Sequence, residues 1–586
     1  MKSKILLSAI ILIAGFLRFY NLMFGSPHFF HPDERNMASA ITRLNFPNQM
    51  NSEFFAYGQF PLYLAYFSAR VANVSFPQAI FWLRFWSAIT STLTVLIGYF
   101  VAKEVLGNKK ASHRGSFDVG KGFHPFPSNT RIYFIPQLKQ FVNFIKQRRA
   151  RDLHPNPYGS HRVLDRSATS AVHSPPFSTL TKTSNSVNYG ALLSSILIAF
   201  TPALIQSAHF GTTESLLTFF SMLIIYLSLT FKGSTFQGII LALVLGLALS
   251  TKVSAFLFGA VPLFAFFIAK VGIIKKLKYF SIILIFSSLF FVLFSPFNFL
   301  DFNSFKGSMN YETAVALGKT KVFYTRQFEN TIPILFQLEK VFPYALGIPI
   351  FIFGLLGIIF APNLILLFAL FIYFLPNAFL FAKWTRFMTP ILPLFSIFAV
   401  YFIYKLPKLV PLLTFISLLP GLIFFSIYTH PDVRVAASEW IYKNIPSGSY
   451  VLSETANVID IPVHIPKLTP ETYHLSPISF NFYELDENPI RLQELLNHLE
   501  KADYIFVPSR RIFANHMKLP EKYPVTGKYY ELLFSGNLGF EKVAEFSPLP
   551  DENAEETFTV FDHPVIRIYK KVEHKNYKSL FNEKSI

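Results

Sequence analysis

The 586-residue chain contains no cysteine. A disulfide framework, a thiol nucleophile and a cysteine-ligated metal are therefore all excluded. Charge is scarce as well: Asp, Glu, Lys and Arg make up 15% of the residues, against about 25% in ordinary soluble domains. That deficit argues against a string of soluble domains. No convincing repeat relates the two halves of the chain. No A-x-A cleavage pattern follows the first apolar run, Lys4–Tyr20, which reads as an uncleaved signal anchor.

What fills the space is apolar and bulky. Hydrophobic residues reach 52%, with 70 Phe and 27 Tyr, and uncharged runs such as Ile282–Phe294, Pro349–Leu375 and Leu409–Tyr428 recur between short polar breaks. A bilayer core about 30 Å thick needs roughly 20 apolar helical residues. Eleven runs read as spans: 4–20, 79–102, 190–208, 212–231, 236–250, 253–270, 279–296, 342–360, 363–381, 387–404 and 409–428. The net charge of +19 then reflects cytoplasmic loops rather than nucleic-acid binding. With the N-terminus inside, Lys103–Lys182, Lys232, Lys270, Lys275, Lys276, Lys278, Lys405 and Lys408 all fall on the cytoplasmic side, as the positive-inside rule requires. The expected architecture is an all-α polytopic membrane domain (1–428) of about eleven helices in the plasma membrane, followed by a small extracytoplasmic α/β domain (429–586).

Two segments depart from this pattern. Residues 107–189 are rich in Ser, Pro, His and Arg and read as a basic, disordered cytoplasmic insertion. The tail is expected to hold helices at Glu439–Asn444 and Leu492–Lys501. Ser449–Ser453, Ala502–Val507 and Phe558–Tyr569 alternate like half-buried strands. The tail shows no catalytic constellation of its own.

Ionisable groups at the bilayer midplane cost on the order of 2.5–3.5 kcal/mol each, so their placement is informative. Under this topology the isolated ones share the outer side: Asp33 and Glu34 after the first span, Arg84 opening the second, His209 and Glu214 in the turn between the third and fourth, Lys252 in the next outer turn, and Lys383 and Arg386 before the tenth. Each has a plain structural reading. Arg84 and Lys252 can snorkel, His209 can be a packing residue, Glu214 can pair with a cation, and Asp33 and Glu34 can cap a helix that starts after His31-Pro32. The joint pattern carries more. Cations on one face suit a lipid phosphate and the charge that builds on it as it leaves, and a nearby carboxylate can take a proton from an acceptor hydroxyl. Asp33 and Glu34 are adjacent with diverging side chains, which makes a hydrolase pair flanking a glycosidic bond less natural.

These residues sit in motifs with a family likeness. Phe16-Leu17-Arg18-Phe19-Tyr20, His31-Pro32-Asp33-Glu34 and Tyr57-Gly58-Gln59-Phe60-Pro61 resemble the opening of the GT-C glycosyltransferases, in particular the dolichyl-phosphate-mannose–protein mannosyltransferase and aminoarabinose transferase family. Leu83-Arg84-Phe85-Trp86, Ala208-His209-Phe210-Gly211-Thr212-Thr213-Glu214, Leu249-Ser250-Thr251-Lys252, Gln327-Phe328-Glu329-Asn330-Thr331, Arg386-Phe387-Met388-Thr389-Pro390 and Asp562-His563-Pro564 are similar to later motifs. The likeness runs along the chain except through 107–189. It implies a general base at Asp33 supported by Glu34, and a second acid at Glu214, where many members carry Asp. It implies phosphate-binding cations at Lys252 and Arg386 and further substrate contacts at Tyr57, Gln59, Arg84, His209 and Gln327. It also implies a juxtamembrane helix at Phe60–Asn73 and an inverting mechanism without a covalent enzyme intermediate.

The function expected is transfer of a hexose from a polyprenyl-phosphate donor to a hydroxyl of a protein, lipid or cell-envelope acceptor, with no required metal or other cofactor and no nucleic-acid partner. A divalent ion, if present, has only Asp33, Glu34, Glu214 and His209 as hard ligands. The alternative is a transporter or lipid flippase, which calls for polar groups deep within the spans; these are sparse here. A structural or sensory membrane protein leaves the charged loops unexplained.

Overall fold

A computed structural model describes residues 2–69, 73–107, 188–455, 459–465 and 473–581. The basic segment read at 107–189 lies outside them from 108 to 187. All eleven apolar runs fall on helices, and a small sheet follows them near the C-terminus. Among the described residues, four helices are long and apolar enough to cross a membrane: Phe76–Gly107, Ile273–Phe294, Thr385–Ile403 and Pro407–Thr429. The number rises to six if two bent pairs, Tyr189–Ala199 with Pro202–Ala208 (58°) and Gln337–Ala345 with Ile348–Phe360 (115°), each form one span. The two bends have a local cause. Pro202 and the Gly347-Ile348-Pro349 turn break the chain, because proline lacks the N–H that would continue the helix. Glu214–Leu229, Thr235–Leu249, Val253–Ile268 and Leu364–Ala378 are also short.

Helix Phe76–Gly107 is the central pillar. It packs against Lys2–Phe19, Pro32–Thr42, Phe60–Ala69, Tyr189–Ala199 and Glu214–Leu229, and its buried stripe is built from small and hydroxylated residues such as Ser87, Ala88, Ser91, Thr94 and Gly98. Small residues let helices approach closely where no water drives them together. The same device joins Ile348–Phe360 to Leu392–Ile403, where a Cβ on Gly357 would lie 1.8 Å from the Phe398 carbonyl oxygen. The break after Ala199 leaves carbonyls without helical partners. Buried Arg18 fills that role, donating to the carbonyls of Ala199 (3.0 Å) and Ile198 (3.4 Å) and to Ser91 Oγ (2.8 Å).

The loop before helix Phe60–Ala69, the described part of the expected 60–73 helix, lies against the turn at Ser250–Thr251. Gly58 N–H donates to the Thr251 carbonyl and Phe60 N–H to that of Ser250, each at 3.1 Å. Only glycine permits this approach, since a Cβ on Gly58 would lie 1.9 Å from the Ser250 oxygen. The contact sets Tyr57 beside Lys252.

The C-terminal sheet has the order β2-β1-β3-β5-β4, with β1 Val451–Glu454, β2 Ile478–Phe480, β3 Tyr504–Val507, β4 Phe540–Phe546 and β5 Ile566–Lys571. β1 runs parallel to β2 and β3, and β5 antiparallel to β3 and β4. Side chains alternate between two cores. Tyr504, Phe506, Ile566 and Ile568 meet helix Val433–Asn444 on one face, while Ile505, Val507 and Tyr569 meet helices Pro489–Lys501 and Pro524–Phe534 on the other. Both expected helices are present and begin earlier in the chain than the sequence suggests. The expected strand 558–569 is a correction: its first part is the helix Glu556–Val560, whose start Glu555 caps by accepting from Thr557 N–H at 2.9 Å, and only Ile566 onward is strand. β2 and β4 were not anticipated.

The segment around that short helix fastens the sheet to the bundle. Asp562 accepts from Gln206 Nε2 (3.1 Å) and Tyr428 Oη (2.8 Å), Glu555 accepts from Thr385 N–H (3.0 Å), and the Arg434 guanidinium lies 4.3 Å from the Phe30 ring centroid. His563 is held between two carboxylates, Asp562 Oδ1 at 2.5 Å and Asp551 Oδ2 at 2.9 Å.

Two expectations follow from these contacts. Gly58→Ala is expected to destabilise the fold by about 1–3 kcal/mol, the usual range for overpacking, read as a lower thermal midpoint in detergent. Burial alone would lower the His563 imidazolium, but Asp562 and Asp551 raise it to about 10. A folded value above that of a free imidazole, 6.5, means stabilisation that is complete below pH 6.5 and is lost as pH rises toward 10. The thermal midpoint of the wild type is expected to fall over that window more steeply than that of His563→Gln.

Candidate active site

Helix Pro32–Thr42 begins with His31 in an extended conformation and Pro32 at its first position, which suits proline because that N–H has no helical partner. Adjacent residues on a helix point about 100° apart, and Asp33 and Glu34 accordingly enter different environments. Glu34 is fully buried and forms a two-pronged pair with Arg84, at 2.6 and 2.7 Å. Glu34 Oε1 also accepts from Gly211 N–H at 2.6 Å, and Arg84 Nη1 donates to the carbonyls of Leu22 and Phe24.

Asp33 faces the other way, into a group of charges. Its Oδ2 accepts from Arg386 Nη1 and from Tyr57 Oη, the latter at 2.9 Å. Arg386 lies in the turn Thr385–Met388, its guanidinium 4.7 Å from the Trp384 ring centroid. Beside it, Lys252 Nζ pairs with Glu214 Oε1 at 3.1 Å and lies 5.4 Å from the rings of both Tyr57 and Phe387. Glu214 opens helix Glu214–Leu229, where the helix dipole favours negative charge. Burial would raise Asp33, but Arg386 first, then His31 and Tyr57, hold its carboxyl below the ordinary range.

Five residues singled out in the sequence therefore meet: Asp33, Tyr57, Glu214, Lys252 and Arg386. The others are placed elsewhere. Glu34 and Arg84 form their own pair. His209 stacks on Tyr428 at 3.6 Å between centroids, with its nitrogens on the carbonyls of Ile205 and Tyr20. Gln59 pins the loop by accepting from Phe297 N–H at 3.1 Å. Gln327 bonds Glu555 at 2.8 Å, and Lys383 donates to Thr331 and to the Phe381 carbonyl. Among the described residues, no three His, Asp or Glu side chains are grouped to hold a metal ion.

Next to the charged group lies a small cleft of about 40 Å³, walled by His31, Glu214 and Arg386 and also by Thr557, Phe558 and Phe561 from the C-terminal part. That contribution had no sequence signal, because residues 558–561 continue an alternating pattern. A wider cleft of about 520 Å³ runs between the 51–56 loop and Asp301, Ser304 and Ser308.

Removing one partner of a buried ion pair typically costs about 3–5 kcal/mol. Glu34→Gln is thus expected to lower the thermal midpoint sharply, and Glu34→Gln combined with Arg84→Met to recover part of that loss in the same melting measurement.

Residues 141–305 match the family model described as dolichyl-phosphate-mannose-protein mannosyltransferase. The match begins inside the segment for which the motifs show no counterpart. It contains His209, Glu214 and Lys252 but neither Asp33 nor Arg386. No curated protein matches the chain. Among solved structures, the apo oligosaccharyltransferase of Archaeoglobus fulgidus is similar at 13% identity and a TM-score of 0.47, over 90% of this chain and 72% of that one. The ArnT of Cupriavidus metallidurans bound to undecaprenyl phosphate is similar at 11% identity and a TM-score of 0.43, over 96% and 97%. The S. cerevisiae protein O-mannosyltransferase Pmt1-Pmt2 complex bound to the sugar donor is similar at 13% identity and a TM-score of 0.31, over 52% and 34%. From 141 to 305, then, the chain resembles the dolichyl-phosphate-mannose-protein mannosyltransferases, as its loop motifs imply.

Proposed function

We propose that the chain is an integral membrane glycosyltransferase that moves a hexose from a polyprenyl-phosphate carrier to a hydroxyl of a protein, lipid or envelope-glycan acceptor. The observation that supports it best is the meeting of two cations, Lys252 and Arg386, with two carboxylates, Asp33 and Glu214, drawn from four distant parts of the chain. The reaction proposed is one displacement. The acceptor oxygen bonds to the anomeric carbon while the bond from that carbon to the phosphate oxygen breaks, and the electron pair leaves on the phosphate. The acceptor proton passes to Asp33. Lys252 and Arg386 neutralise the charge gathering on the phosphate, where fixed donors need no reorganisation.

Each cation is now held by a carboxylate, Arg386 by Asp33 and Lys252 by Glu214. A lipid phosphate that engages both cations competes with those carboxylates. Once Arg386 turns to the phosphate, Asp33 loses the partner that most strongly holds its carboxyl low and becomes the better base. In this reading the spans number about eleven, the N-terminus is cytoplasmic, and the active site and the 429–586 domain face the outside of the plasma membrane. The positive charge for catalysis comes from side chains and no metal is required.

The test is release of free lipid phosphate from undecaprenyl- or dolichyl-phosphate mannose, glucose and galactose by the purified protein. Asp33→Asn is expected to slow release by about 10²–10⁴-fold, the usual worth of a general base, with folding intact. A fully active Asp33→Asn variant would remove the proposed base.

A further inference from the structure

Three cations gather where the C-terminal part rests on the bundle. Arg510, just after β3, and Lys340, in the segment before helix Ile348–Phe360, grip consecutive peptide groups. Arg510 Nη1 donates to the Ala554 carbonyl at 2.7 Å, and Glu555 N–H donates to the Lys340 carbonyl at 2.8 Å. Lys518 follows the short helix Phe513–His516 that Arg510 precedes. Partial burial lowers its ammonium below the ordinary value, and the like charges of Arg510 and then Lys340 lower it further. Arg510 is 8% exposed, and buried charges are ordinarily paired. Among the described residues, however, none of these three cations forms an ion pair. The carboxylates of the same region are committed to other groups: Glu556 to Arg511 (2.6 Å), Asp551 to His563 (2.9 Å), and Glu555 to Gln327 and Thr385. The result is a locally positive site, with a buried guanidinium at its base and two lysines, one half-buried and one exposed, at its rim.

A second, independent feature sets this group at a membrane surface. The segment Gln337–Ala345 is bent by 115° from Ile348–Phe360, so it runs nearer to the membrane plane than to the axis of that apolar helix. Ile348, Ile352, Leu355, Leu356 and Ile359 are exposed at helical spacing, a stripe suited to lipid. Just before the bent segment, Ile332 and Leu335 are 63% and 42% exposed. Exposed apolar side chains next to cations are the pattern of a segment lying at headgroup level, where the apolar groups enter the acyl region and the cations meet phosphates. A soluble anion calls for no such apolar border.

We propose that Arg510, Lys518 and Lys340 form a site for the phosphate of an anionic membrane lipid, separate from the group that holds Lys252 and Arg386. Arg510 is the fixed donor, since a guanidinium matches the oxygens of a phosphate, and the lysines add charge at the rim. The bound lipid ties the C-terminal part, which carries Arg510 and Lys518, to the bilayer. This site does not depend on the glycosyl-transfer reading.

The test titrates phosphatidylglycerol, phosphatidylcholine and inorganic phosphate onto the full chain by native mass spectrometry, in the wild type and in the Lys252→Met, Arg386→Met form. In both, phosphatidylglycerol is expected to bind more tightly than phosphatidylcholine, and inorganic phosphate to leave it in place. Lys340→Gln and Lys518→Gln break no ion pair within the fold, so unchanged melting is expected. Each is expected to weaken phosphatidylglycerol about fivefold, the usual worth of one lysine beside an anionic lipid surface. Lys270→Gln with Lys275→Gln removes the same charge from another exposed place and is expected to have the smaller effect. Unchanged phosphatidylglycerol binding in Lys340→Gln and Lys518→Gln overturns the site, as does equal weakening by the control pair or equal affinity for phosphatidylcholine. Displacement of phosphatidylglycerol by inorganic phosphate overturns the lipid assignment in favour of a free anion.

Discussion

Charge in an apolar bundle must be neutralised locally, and the pairing of Asp33 with Arg386 beside Glu214 with Lys252 meets that constraint with four side chains gathered at one place. Desolvating an ion costs several kcal/mol even after relaxation, and hydrophobic residues of the same volume would hold the helices together at least as well. Much of the local architecture exists to bring these side chains together. Gly58 allows the Tyr57 loop onto the Lys252 turn, and Pro32 starts the helix that aims Asp33. Glu555 reaches from the C-terminal part to the backbone of Thr385, next to Arg386. In the proposed reaction the lipid phosphate takes over the cations that the carboxylates now hold.

The contrast between Asp33 and Glu34 shows how position on a helix separates roles that the sequence leaves merged. The two acids are adjacent, yet one joins the cluster and the other is locked to Arg84 and the Gly211 N–H with no exposure. Glu34 fixes helix Pro32–Thr42 against the central helix and the Phe210–Gly211 turn. Arg84, which could have snorkelled or bound substrate, is occupied on every side by Glu34 and two carbonyls.

The apolar runs and the isolated charges between them were legible because they depend on length and hydropathy. The pairing of Glu214 with Lys252 lay within reach, both being isolated charges on one face. Three things were not legible. The bends at Pro202 and at the Gly347–Pro349 turn were hidden because the composition reads as continuous there. The role of Arg18 was hidden because its partners are backbone carbonyls freed by a break elsewhere. The C-terminal contribution to the cleft was hidden because Phe558–Val560 alternates like the strand that follows it, and the cap from Glu555 that turns it into a helix is a local competition that period alone does not show.

The account stands on Lys252 and Arg386 acting together as one receptor for a lipid phosphate. The most direct measurement is the binding of undecaprenyl phosphate to purified wild-type protein and to the Lys252→Met, Arg386→Met and doubly substituted forms, followed through the phosphorus resonance of the lipid. One lipid per chain is expected, with affinity falling in each single variant and lost in the double variant while the protein stays folded. Binding that survives loss of both cations would contradict the account.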